Sequence, residues 1–366
     1  MANIIDEKLP DVEKVENRND TFADKLKFYL EKYEMTQKEL ALRLGLSVKH
    51  INSILNDEVI DVSVSVLEGL EYAFRLETGI LTKLYYTYSN LRSVRNNPNI
   101  EEQMKSFGLN FIIDHPELAV GFGAKITPDM ENHIKLMKLK KFYGVTELPD
   151  YRQYLEEHIL AETKKYHNKA NSYIWIRFCE LSVHYDKENL GVFRTGLFEA
   201  VLKKVLNMMT STFDFHKKIQ NIKKYLMHKG IILVTKPFIE GSSIRAITLK
   251  KGGKRYVFLS DMYHSESYIF FSLLHELIHC FHNNLTEEEI DQKVIDVYRD
   301  WEKENPTNYR AIYDAINAYE THRKVVEKDP NIDTSYIWSV LQERYEYVRF
   351  EDKELESILK DTEVLK

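Results

Sequence analysis

The chain has 366 residues, enough for two or three domains, and its 43% hydrophobic and 30% charged content fit a globular, water-exposed protein. A formal net charge of −6 excludes a nucleic-acid binder that works through its overall field, so any DNA contact must come from a local surface. Two cysteines, Cys179 and Cys280, exclude a disulfide framework and a cysteine-built zinc cluster.

Residues 1–20, MANIIDEKLPDVEKVENRND, are polar and mixed in charge, without the apolar core of a signal peptide. They read as a mobile tail. No apolar run approaches the roughly 20 residues that span a bilayer, so no membrane is expected; with only two cysteines, a reducing cytoplasm is the expected setting. Residues 21–95 read as one helical domain. Leu26, Phe28, Leu30 and Tyr33 supply the apolar stripe of a first helix. Thr36-Gln37-Lys38-Glu39 is a capping box in which hydroxyl and carboxylate each serve the other residue's amide. Leu40, Ala41 and Leu44 face inward, Gly45 permits a left-handed turn, and Leu46 plugs it. Ser47 caps a further helix whose inward residues are Val48, Ile51, Ile54 and Leu55. Two short helices around a glycine turn make a helix-turn-helix. Its second helix carries Ser47, Lys49, His50, Asn52 and Ser53 outward, hydrogen-bonding side chains suited to a major groove. Gln37 stands at an exposed helix start, where its amide can reach a phosphate or a base edge.

A boundary is expected at Asn96-Asn97-Pro98, and residues 96–205 read as a helical connecting region. It includes PDMENHIKLMKLKKFYGV, with Met130, Ile134, Met137 and Leu139 near helical spacing. LFEAVLKKVLNMM and HKKIQNIKKYLMHKG, stopped by Gly230, are further helices. Ile231–Thr235 is then a β-branched run. Ile244–Leu249 and Arg255–Leu259 flank Gly252-Gly253, which suits a hairpin turn. Residues 206–300 read as a second domain, and 301–366 as a helical extension ending in a charged tail.

The second domain contains FFSLLHELIHCFHNN. His275 and His279, four residues apart, share a helical face about 5–6 Å apart. Imidazoles so placed can hold one zinc, and Glu276 lies beside them as a candidate general base. The alternative is a buried helix with two hydrogen-bonded histidines. His282 shares the face of His275 and is either a further donor or a solvated helix end. His264 and His184 stand isolated in sequence, and no role is assigned to them. Cys280 points away from the histidine face toward the core.

TQKELALRLGLS resembles the Cro/C1-type (Xre) helix-turn-helix family, and VSVSVLEGLEYAFRLETGILTKLYYTYSN resembles the HigA-like antitoxin branch. The resemblance implies base reading by Ser47, Lys49, His50 and Ser53. The charge balance of residues 21–56, six Lys/Arg against four Asp/Glu, points to a homodimer on two half-sites of double-stranded operator DNA. The stretch SIRAITLKKGGKRYVFLSDMYHSESYIFFSLLHELIHCFH resembles the ImmA/IrrE metallo-endopeptidase family over roughly residues 213–298. That resemblance implies a zincin-like domain with one zinc per chain, held by His275 and His279, with Glu276 as general base. The family carries glycine where this chain has Ile278. Its third ligand is an acid on the next helix; the family's pattern puts it at Glu289, with Glu288 and Asp291 as close competitors. Glu289 also completes a capping box with Thr286. The expected class is therefore mainly α with a small β-sheet: a helix-turn-helix bundle, a helical middle and a zincin-like domain. The expected function is a DNA-binding regulator, antitoxin-like or a phage or mobile-element repressor, whose metallopeptidase-like half senses or binds a protein partner such as a toxin. The alternative is an active zinc endopeptidase that cleaves a specific partner or repressor.

Overall fold

A computed structural model describes residues 21–59, 61–116, 125–160, 170–183, 189–282 and 284–351. The expected tail at 1–20, His184 and the last fifteen residues of the charged terminus lie outside the described residues. Among the described residues the chain is mainly helical with one small sheet, as its patterning implies. It divides into two compact units. One comprises residues 1–103 with 126–141, and the other 104–125 with 142–366. No helix among the described residues is long and apolar enough to cross a membrane.

The first unit holds α1 (Phe22–Lys32), α2 (Gln37–Leu44), α3 (Val48–Leu55), α4 (Val64–Ala73) and α5 (Ile80–Asn96). Its core gathers Leu26, Leu30, Leu40, Ala41, Ile51, Ile54, Leu55, Leu67, Leu70 and Phe74. Gly45 takes a left-handed φ of 66°, the sharp stop that lets α3 leave α2. Thr36 accepts the Glu39 amide at 3.1 Å, but the expected return bond is replaced by a Glu39–Arg43 ion pair at 2.7 Å. Two inward assignments are corrected. Phe28 is 54% exposed because it lies two residues, about 200°, around α1 from Leu26. Val48 is 46% exposed because, at the first position of α3, its side chain leans back past the helix start. Glu71 is buried on α4, and its carboxylate accepts the Gly79 and Thr82 amides at 2.8 and 3.1 Å. It thereby caps α5, whose own cap position is a glycine with no side chain to offer.

In the second unit, further helices precede the sheet. In chain order the described α-helices between α5 and the sheet are α6 (Ile100–Ser106), α7 (Leu109–Asp114), α8 (Asn132–Tyr143), α9 (Leu148–His158), α10 (Ala170–Leu181), α11 (Phe198–Met209) and α12 (Phe215–Met227); the last of these leads into β1 (Ile231–Lys236). β2 (Ala246–Lys251) and β3 (Lys254–Ser260) form the expected hairpin. Gly252 and Gly253 take φ of 56° and 74°, the hand a two-residue turn needs. β3 also pairs with β1 in parallel, so the order is β1-β3-β2 and β2 lies at one edge.

Helix α13 (Glu266–Phe281) carries the histidines. Every residue from Ser267 to Cys280 is buried. It packs on β2 and β3, with α14 (Glu287–Glu304) and α15 (Ala311–Lys328) also against it. A helix apolar on all sides is one enclosed on all sides, which explains FFSLLHELIHCF. Cys280 and Ile278 both belong to this core and are fully buried. The Cys280 carbonyl accepts from Arg255 Nε at 3.0 Å, tying the helix end to β3.

The room that Ile278 fills gives a test. Ile278→Gly removes a fully buried side chain and adds glycine's backbone entropy, costing roughly 3–6 kcal/mol. Denaturant titration should show that loss. A loss under about 1 kcal/mol would mean that Ile278 is not packed as described.

Candidate functional site

The exposed face of the helix-turn-helix is built by α2, α3 and their turn. Gln37 is exposed at the first position of α2, and Lys49, His50 and Asn52 are exposed along α3. Ser53 is half-buried. Ser47 is exposed, and its Oγ accepts the His50 amide at 3.1 Å. That bond uses one lone pair and leaves the hydroxyl hydrogen to donate. The six positions expected from sequence therefore lie on or beside one short helix and the start of its neighbour. Its capping bond fixes where α3 begins and hence where Lys49 and His50 stand.

In the second unit the two histidines converge. His275 Nε2 and His279 Nε2 are 2.9 Å apart, with ring centroids 4.7 Å apart. The rings are 0% and 2% exposed, so each polar atom needs a partner inside the protein. His275 Nδ1 meets Asp291 Oδ1 at 2.7 Å. With the Nδ1 proton directed to that carboxylate, the Nε2 lone pair points toward His279. The acid that faces the pair is Glu287. Its two oxygens lie 3.1 Å from His275 Nε2 and 3.5 Å from His279 Nε2. Its Oε1 is buried and makes no hydrogen bond.

The expected third donor, Glu289, lies elsewhere. Its carboxylate accepts the Thr286 amide at 2.8 Å and its amide donates to Thr286 Oγ1, completing the capping box on the exposed side of α14. Glu288 is exposed. Asp291 is buried and holds a histidine by its far nitrogen instead of joining the convergent atoms. The signal for Glu287 was present in the spacing. Glu287 and Asp291 are one turn apart and share a face, and Ile295 and Tyr298 continue that face as buried residues. Glu289 is about 200° around from Glu287.

Glu276 is 2% exposed, and its Oε2 accepts from Thr248 Oγ1 at 2.7 Å. The same hydroxyl lies 3.1 Å from the Glu276 carbonyl, so β2 grips α13 at this residue. Arg245, just before β2, puts a guanidinium nitrogen 3.5 Å from His275 Nδ1. His282 is not one of the convergent donors. It follows the end of α13 in extended backbone, and its ring meets Phe198 edge-on at 4.7 Å. His264 stacks on Tyr347 at 4.5 Å, with its Nδ1 3.1 Å from the Val348 carbonyl, which gives it a structural role.

The electrostatics favour positive charge between the rings. Burial pushes His275 down and Arg245 pushes the same way, yet Asp291 and Glu287 outweigh both and raise it to about 9. Burial pushes Glu287 up, but the two histidines hold it well below the usual carboxylate range. Asp291 is likewise held low against its burial, mainly by His275, with help from Arg245 and the Tyr319 hydroxyl. Two nitrogens and a carboxylate, all within 4.8 Å of one another, could hold a metal ion. Such a mixed donor set suits zinc, and the buried Glu287 oxygen without a hydrogen bond is consistent with that fit.

A family model described as Helix-turn-helix matches residues 26–81. The match spans α2, the Gly45 turn and α3 and supports a DNA-binding role for the first unit. Neither a curated protein nor a solved structure matches the chain.

Proposed function

We propose that the chain is a DNA-binding transcription regulator, antitoxin-like or a phage or mobile-element repressor. Its second unit carries one zinc in a metallopeptidase-like centre that senses or binds a protein partner. The observation that carries the regulator reading is the exposed polar face of α3, set by the Gly45 turn and the Ser47 cap within the matched helix-turn-helix. Lys49 would neutralise phosphate, and His50, Asn52, Ser47 and Gln37 would bond base edges or backbone. With the acidic stretch 57–80 following, a monomer has little charge to spare. A homodimer on two half-sites suits this balance.

The zinc reading is supported by the convergence of His275, His279 and Glu287 and by the resemblance of residues 213–298 to the ImmA/IrrE family. Asp291 orients His275 and raises the basicity of its Nε2, as carboxylates behind ligating histidines do. Zinc in such a site supplies Lewis acidity to a neighbouring water or carbonyl group.

A second reading, an active endopeptidase, is favoured by one observation. Glu276, held by Thr248, is the residue next to His275, and in this reading its carboxylate would take a proton from an attacking water. DNA binding would then bring the enzyme to its partner.

Three outcomes are expected. Lys49→Ala combined with His50→Ala should weaken binding to the promoter fragment upstream of the reading frame about tenfold or more and flatten its salt dependence. Unchanged affinity from 50 to 200 mM salt would remove these residues from the interface. Metal analysis should find about one zinc per chain. The zinc should be lost in His279→Ala and Glu287→Ala and retained in Glu289→Ala; zinc lost with Glu289 and kept without Glu287 would reverse the ligand assignment. Glu276→Gln should keep zinc and operator binding in either reading. If the chain is a peptidase, new protein N-termini generated in a cell lysate by zinc-loaded wild type will be absent with the variant, and identical N-termini from both would end that reading.

A further inference from the structure

The outer edge of β2 is already engaged by the chain itself. Leu160 donates its amide to the Thr248 carbonyl at 2.9 Å, and Ile159 bridges Leu249 in antiparallel sense. Thr248 is the residue whose hydroxyl holds Glu276. Its carbonyl thus faces the added segment while its side chain faces the histidine helix. Ile159 is 8% exposed and leaves α9 in extended backbone, φ −70° and ψ 127°. Behind it, Lys251 on β2 reaches Tyr154 Oη at 3.2 Å, so the end of α9 is moored to the same strand.

We propose that the β2 edge is a strand-addition site for an extended polypeptide with an aliphatic anchor, and that Ile159-Leu160 holds it in cis as an internal competitor. The inference rests on the reading of the second unit as a partner-binding module and names how that partner docks. Main-chain pairing gives strand addition its affinity, and side-chain pockets give it selectivity. Among the described residues the cis segment makes one bridge, Ile159 with Leu249, and buries one aliphatic side chain, Ile159. A partner strand running the length of Ala246–Lys251 makes several ladder bonds, so it can displace the segment. Displacement brings an extended chain to Thr248, one side chain from Glu276. Without it, the edge is shut.

The test uses the full-length chain and a fluorescein-labelled synthetic peptide of residues 155–165, added in trans and followed by anisotropy. Leu160→Pro deletes the donor, and proline favours the extended conformation that Ile159 already has. Ile159→Ala removes the anchor and leaves the donor in place, so it carries the test if the proline variant fails to fold. Both should bind the peptide at least tenfold more tightly than wild type, with or without chelator. Equal affinity in wild type and the folded variants, or no binding to any, overturns the proposal, as does binding that disappears with chelator. Zinc content of the same preparations reads the metal assignment separately, so either idea can fail alone.

Discussion

The second unit depends on one constraint: α13 is enclosed on every side yet carries three ionisable groups in its middle. A buried ionisable group without a partner costs several kcal/mol, so each must be matched by a specific neighbour. Asp291 matches His275, Thr248 matches Glu276, and Glu287 closes on the two Nε2 atoms. These partners come from α14 and from β2, so the polar cluster ties together the elements that wall the helix. Enclosure also holds the rings in one orientation, which an exposed helix bearing the same residues could not do.

The two units use opposite physical strategies. In the first, the residues assigned to recognition are exposed, and the fold contributes only the position of a short rod through Gly45 and Ser47. DNA brings its own dense charge, so solvated donors suffice. In the second, the donors are buried, and low solvent access strengthens each electrostatic contact. Arg245 sharpens this balance: it opposes a charge on His275 while helping to hold Asp291 ionised.

Much of the architecture was legible locally. The Gly45 stop, the Ser47 cap, the Gly252-Gly253 hairpin and the apolar surroundings of His275 are written in adjacent residues, because caps, turns and periodicity act within one or two turns of chain. Phe28 and Val48 were misplaced for the same reason. A stripe counted along the chain does not say how far round a helix the neighbouring helices extend. Glu39 had two local partners within reach, Thr36 and Arg43, and its side chain pairs with Arg43.

The sequence alone determined which residues could do chemistry: two imidazoles one turn apart, a glutamate between them in the chain, and a run of acids on the following helix. Adjacency did not rank those acids, because Glu287, Glu288 and Glu289 are consecutive and equally suited to a helix start, and the face Glu287 shares with Asp291, Ile295 and Tyr298 does not say what that face meets. The ranking came from tertiary structure. Packing turned the Ile295 and Tyr298 face of α14 inward, which aims Glu287 and Asp291 at the histidines and leaves Glu289 to cap its own helix. Which acid meets the two histidines was set by rotation of a helix about its axis, and only burial against other elements sets that rotation.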